Sequence, residues 1–341
     1  MKAFQKTSIT YKLIYCRFMK LRSLQFAYLC ALFAFAAANP ILAADAVVAA
    51  DGTGQYKTVQ EAVSAAPQLA DPPNFWTILI KPGTYNEIVY VQRERGHIRL
   101  LGENAETTRI TASLAAKTIG PDGRPIGTFR TATMQIDADD FAVENLTIEN
   151  TAGPVGQALA LRVDGDRIVF RNCRFLGWQD TILVNRGRQY FENCFIAGAT
   201  DFIFGGATAF FDQCTIRCDG NGYITAASTP KQQPYGLVFS HCKIFGVKPD
   251  VHTFLGRPWR AYAMTVFLNC EISDVIRSEG WQNWNNREKT ARYAEYSNIG
   301  NGADFAKRVS WARQLTAEEA AMLAPAIVLA GPDAWKPEGS H

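Results

Sequence analysis

Two aspartates set among apolar residues, with two glutamines near them, are the part of this 341-residue sequence best suited to chemistry. Asp201 opens Asp201-Phe202-Ile203-Phe204-Gly205, where aromatics and an isoleucine follow a lone carboxylate. Ionisation there is costly unless a cation pairs with the acid. Asp180 sits in Trp178-Gln179-Asp180-Thr181, a second acid with an amide beside it. Gln157 lies upstream in Gly156-Gln157-Ala158-Leu159-Ala160-Leu161, and downstream comes Leu255-Gly256-Arg257-Pro258-Trp259. Two acids, two amides, one arginine and one tryptophan suffice for ester or glycoside chemistry.

Other chemistries lack their residues. There is no GxSxG elbow, and of four histidines His341 is terminal. His97, His241 and His252 have no serine-plus-acid context nearby, and His241 falls inside a repeated phrase that reads as structural. No HExxH or clustered His/Cys set appears, so transition-metal hydrolysis has no support.

The repeat is what would position the acids. Val143-Glu144-Asn145-Leu146-Thr147-Ile148 returns as Phe170-Arg171-Asn172-Cys173-Arg174-Phe175 and as Phe191-Glu192-Asn193-Cys194-Phe195-Ile196. It comes again from Phe211, Phe239 and Phe267, and its fourth residue advances in steps of 27, 21, 20, 28 and 28. Alternating apolar residues are strand periodicity, and a variable step of this size fits one coil of a parallel β-helix with loops of differing length. Asp180 and Asp201 are 21 residues apart and Gln157 and Gln179 are 22, each one step, so each pair should stack on adjacent rungs. Polar ladders are common in such coils and account for any one of these residues. Two aligned pairs argue for a shared site.

Coils stacked ~4.8 Å apart would turn the repeat cysteines into an inward ladder of small apolar groups. Neighbours on such a ladder are near disulfide range, and Cys194 with Cys214 is the pair that fits best. Ahead of the coil, Thr58-Val59-Gln60-Glu61 is a capping box for a short helix ending near Ala65, placed to plug one end. Thr316-Ala317-Glu318-Glu319 is a second, starting a helical tail that ends before Pro325. Trp281 to Trp284 and Tyr293 to Ile299 read as strands or loops leaving the coil. The expectation is an all-β chain: a single right-handed parallel β-helix over residues 44–341.

Residues 1–43 carry six basic side chains and no acid, followed within them by an apolar run from Phe26 to Ala38. They read as an export signal, with Met19 as the alternative start; Leu29 before Cys30 argues against a lipid anchor. The run is too short to span a bilayer. The remainder holds 29 basic and 32 acidic residues, which argues against nucleic acid as a partner. The expected endpoint is outside the cell, with the periplasm as the other destination.

Five segments, taken in order, resemble the signature segments of the pectin methylesterases: Gly83-Thr84-Tyr85-Asn86-Glu87, the Gln157 segment, Gln179-Asp180-Thr181, the Asp201 segment and the Arg257 segment. The resemblance runs from about Asp51 to Trp311 and implies a right-handed parallel β-helix acting on methylated homogalacturonan. It departs at Ala227, where many members carry Gln, which puts one part of the groove in question. It implies Asp201 as nucleophile, Arg257 as the cation orienting it, Gln157 and Gln179 as oxyanion donors, and Asp180 as general acid and then base. Trp259 would stack on a sugar, as would Phe129, Phe202, Tyr223 and Trp284, ordinary core packing being the alternative for each. Glu87 reads as structural. The mechanism so implied needs no metal or organic cofactor, and a monomer with no stable membrane association is expected.

Other readings stay open on the residues alone. Paired acids could hydrolyse a glycosidic bond, though such an enzyme has no clear use for two stacked amides. A calcium-dependent lyase would use acids such as Asp137, Asp139 and Asp140, read here as a solvated turn. A non-catalytic carbohydrate-binding coil, or an esterase or thioesterase acting on another ester, completes the set.

Overall fold

The computed structural model describes residues 44–68 and 75–337. The expected leader, Met19, Cys30 and His341 lie outside the described residues. From Ala44 onward the chain winds as a right-handed parallel β-helix. One wall is an eleven-stranded sheet running from Ala46–Val48 to Arg313–Gln314. The other two walls form a single thirteen-stranded sheet, because two long strands, Phe195–Gly205 and Thr215–Ala227, run round the corner between them. The first half of Phe195–Gly205 pairs with Arg174–Leu176, and its second half pairs with Ile182–Val184.

The repeated phrase explains the interior. Its first position is an aromatic ladder: Phe170, Phe191, Phe211, Phe239 and Phe267 stack face to face with centroids 4.5–4.6 Å apart. Each such contact adds ~0.5–1.5 kcal/mol beyond the area it buries. Its third position turns the corner: Asn145, Asn172, Asn193, Gln213, His241 and Asn269 all adopt left-handed backbone, with φ of 51–55°. Short polar side chains tolerate that region best, which is why the phrase keeps asparagine there. His241 is thus a corner residue.

The fourth position is the cysteine ladder. Cys173, Cys194, Cys214, Cys242 and Cys270 are buried, as is Cys218, and all six are free, so the expected Cys194–Cys214 disulfide is not formed. Each ladder thiol points at main-chain carbonyls instead: Cys194 Sγ lies 3.4 Å from the Glu192 oxygen and 3.6 Å from that of Phe170.

A seventh turn of the phrase was not expected. Arg292–Tyr296 does not leave the coil but pairs in register with Met264–Leu268, and Ser297 takes the corner at φ 50°. Glu295 stands where the earlier rungs have phenylalanine. Buried there, it accepts hydrogen bonds from Arg308 Nε at 2.8 Å and Trp281 Nε1 at 3.1 Å.

Helix α1 (Val59–Ala65) plugs the other end with Val59, Ala62 and Val63, and its Thr58–Glu61 capping box is formed. Glu87 caps the same helix from the bend after the strand Gly83–Asn86, accepting from Val59 N at 2.8 Å and Gln60 N at 2.9 Å. In the tail, α2 (Ala317–Ala321) starts at its Thr316 box, and a further short helix, α3 (Pro325–Val328), follows. Leu323, Val328 and Leu329 cover outward-facing Val169, Tyr190, Phe210 and Val238 on the eleven-stranded wall.

Candidate active site

The corner where the long strands bend carries the acids. Gln157, Gln179 and Thr200 pair in parallel, one on each of three successive rungs, so the two amides stack and Asp180 and Asp201 follow one rung apart. Both aspartates are in left-handed backbone, φ 62° for Asp180 and 51° for Asp201. The register shifts on either side of Thr200, a bulge immediately before Asp201 that aims its carboxyl outward. Two signature glycines let neighbouring rungs close beneath the site. A Cβ on Gly205 would lie 1.9 Å from the Val184 oxygen, and one on Gly256 would lie 2.0 Å from Thr225 Oγ1.

Arg257, whose backbone N–H donates to the Thr225 carbonyl oxygen at 3.0 Å, reaches back to Asp201. Its Nε and Nη2 donate to the two carboxylate oxygens at 2.9 and 2.6 Å, the bidentate fork geometry. Asp180 makes no ion pair of this kind. Burial, then the neighbouring Asp201 charge, push the Asp180 carboxyl up to about 8, against a smaller downward pull from Arg257. Burial also raises Asp201, but the Arg257 hydrogen bonds and charge oppose it. Both carboxyls are thus raised, and Asp201, with a guanidinium on both oxygens, is the one held toward the carboxylate form while Asp180 is the one held toward the carboxylic acid.

Gln157, Gln179, Asp180, Asp201, Arg257, Trp259, Trp284 and Phe129 line one open cavity of about 370 Å³, with Thr128, Phe204 and Ala226. Phe129 is 48% exposed at its mouth. Phe202 does not belong with them. Phe202 is fully buried in the core of the coil together with its neighbour Ile203, so it offers no face to a sugar. Tyr223 is not in the cavity lining; its ring is stacked on Phe254 at 5.5 Å and lies against Arg257. Ala227 is buried and faces the coil interior, so the groove wall does not depend on it.

Asp137, Asp139 and Asp140 are not a freely solvated turn. Tyr90 Oη donates to Asp137 at 2.8 Å, the Asp166 amide to Asp139 at 2.7 Å, and Arg167 to both oxygens of Asp140 at 2.6 Å. Among the described residues no group of three or more His, Cys, Asp or Glu is arranged to hold a metal ion.

One contributor escaped the sequence reading. Arg162, outward-facing in Leu161–Val163, donates to the Phe129 oxygen at 3.0 Å while pairing with Asp164 at 2.6 Å, which ties the Phe129 loop to the site wall. The alternation of Leu161-Arg162-Val163 was the available signal.

A family model for pectinesterases matches residues 45–331. Over 311 residues the chain is 40% identical to the probable pectinesterase/pectinesterase inhibitor 58 of Arabidopsis thaliana, covering 86% of this chain and 53% of that relative. The chain thus spans about half of that relative's length. It is 39% identical over 281 residues to pectinesterase 31 of the same plant, covering 80% of this chain and 88% of the relative. The fold superposes on pectin methylesterase from carrot with a TM-score of 0.79 at 37% identity, covering 86% of this chain and 95% of that one. The chain belongs to the pectinesterase family.

Proposed function

We propose that this pectinesterase hydrolyses the C6 methyl esters of galacturonate residues in pectin, through an acyl-enzyme formed on Asp201. The carrying observation is the division between the two acids: Asp201 is held by the Arg257 fork, and Asp180, one rung away, is pushed up to about 8. An ionised carboxylate is a nucleophile, and a neutral acid beside it is a proton donor.

Asp201 attacks the ester carbonyl, and the charge that develops on its oxygen is met by the amides of Gln157 and Gln179. Such a preorganised donor lowers the barrier by ~3 kcal/mol. Asp180 protonates the departing methoxide, giving methanol, and becomes the base that takes a proton from water. That water cleaves the mixed anhydride joining Asp201 to the galacturonyl group, releasing the galacturonic acid, which then ionises, and restoring Asp201 as the carboxylate and Asp180 as the acid. Trp259 and Phe129, open to the cavity, are the rings placed for sugar stacking.

The chain is further read as an exported monomer with residues 1–43 as its signal, one catalytic domain from residue 44, and no stable membrane association. The basic leader with its apolar run supports export. Among the described residues no helix is long and apolar enough to cross a membrane. Methanol release from methylated pectin by wild type and Asp201→Asn tests the mechanism. A loss of ~1,000-fold or more is expected for a nucleophile; equal release by both proteins removes Asp201 from that role.

A further inference from the structure

Two aromatic residues expected to hold sugar lie against Arg257, Tyr223 outside the cavity lining and Trp284 within it. The ring centroids of Tyr223 and Trp284 are each 3.9 Å from the guanidinium carbon of Arg257. Two rings at that distance cannot share one face of a planar group, so they lie on either side of it. The guanidinium edge stays open between them, and that edge is the fork that meets Asp201.

Both rings are themselves braced. Tyr223 stacks on Phe254 with planes 14° apart, and Arg277 lies 5.4 Å above the Phe254 ring. The Tyr223 hydroxyl is hydrogen-bonded to Gln282 Oε1, and the Gln282 amide is in turn bound to the Gly256 oxygen at 3.0 Å, next to Arg257 itself. Arg287 lies 5.9 Å from the centre of the Trp284 ring. The clamp is thus assembled from the strand Thr215–Ala227, the strand Phe254–Gly256 and the loop that follows Trp281.

We propose that Tyr223 and Trp284 are positioning residues that fix the plane of Arg257 so that its fork rather than its face meets the nucleophile. This rests on the assignment of Asp201 above. An arginine side chain has several rotatable bonds, and its cation–π contacts are strongest when the charge is shielded from water, as here. Without the rings the guanidinium turns away, and Asp201 keeps its burial while losing the partner that opposes it.

The test compares Tyr223→Leu and Trp284→Leu with Tyr223→Phe and Trp284→Phe, using methanol release, thermal unfolding and the pH profile of kcat/KM. Each leucine variant should lower kcat by about tenfold with KM changed by no more than about threefold, the loss expected for a shielded cation–π contact. The acidic limb of the profile should move to higher pH in the same variants. The phenylalanine variants, which keep a ring on each face, should stay within about threefold of wild type. A rise in KM with kcat and the acidic limb unchanged would mean that the rings stack on sugar, and would overturn the proposal. If Tyr223→Leu does not fold, Trp284→Leu decides, since its ring belongs to a loop at the cavity. Asp201→Asn run alongside separates the two levels: full activity there removes the nucleophile, whatever the clamp variants do.

Discussion

Asp180 and Asp201 occupy equivalent places on adjacent rungs, yet only Asp201 is bonded to a cation, through both its oxygens to Arg257. One side chain reaching across two rungs is enough to give two identical functional groups opposite protonation states. The catalytic profile should show it. If Asp180 acts as the acid, kcat/KM should fall as pH rises through about 8, where its carboxyl loses the proton. Asp180→Asn should abolish most of the activity and leave no limb near that pH in what remains.

The same residue carries a stability cost with a definite sign. Its folded carboxyl titrates near 8 and its unfolded one near the ordinary 3.8, so between those values the folded state binds the extra proton. Stability contributed by that group is full below the unfolded value and is lost as pH rises toward 8. Asp180→Asn, which removes the titration, should be more stable than wild type at pH 7 by up to about 4 kcal/mol. Chemical denaturation at pH 5 and pH 7 checks this, and a difference that does not grow with pH contradicts it.

Gln157 and Gln179 are predicted to act on the transition state. Gln157→Ala and Gln179→Ala should each reduce kcat by about 100- to 1,000-fold with little change in KM. The double variant should lose less than the product of the two, because both donors serve one oxygen. Steady-state kinetics on methylated pectin distinguishes this from a binding role, which would raise KM.

Glu295 and Arg308 are almost wholly buried, with side chains 4% and 1% exposed. Removing one partner leaves an uncompensated charge in the coil end, so Glu295→Ala should destabilise by ~3–5 kcal/mol. Glu295→Leu combined with Arg308→Met should recover much of that loss, as measured by urea denaturation.

The six described cysteines should be unreactive in the folded protein and fully reactive once it is unfolded. A thiol titration with and without denaturant reads this directly. Reductant should leave the midpoint of thermal unfolding unchanged, whereas a Cys194–Cys214 bond would make it fall.

The coil was legible because its phrase carries two ladders at once, phenylalanine in the first position and cysteine in the fourth, at one rung per recurrence. The same arithmetic put the glutamine pair and the aspartate pair on neighbouring rungs. The seventh turn was hidden because Glu295-Tyr296-Ser297-Asn298 has neither ladder residue. It ends the stack, and an ion pair replaces ring on ring there. Phe202 was not legible from alternation, because the left-handed backbone at Asp201 interrupts the pleat and both Phe202 and Ile203 turn into the core. Neither were Tyr223 and Trp284: what covers their faces is Arg257, 34 residues after the one and 27 before the other, and no local pattern records that.

The tail that crosses the eleven-stranded wall has a further consequence for how the molecule is made. Leu323, Val328 and Leu329 cover a stripe of large apolar side chains whose strands precede them in the sequence. That cover follows its strands along the chain. Until Leu323 to Leu329 are in place the solenoid therefore presents a greasy seam to whatever surrounds it, and a nonsense mutation before Leu323 would leave the seam permanently bare in a product that already holds both acids, both amides and Arg257.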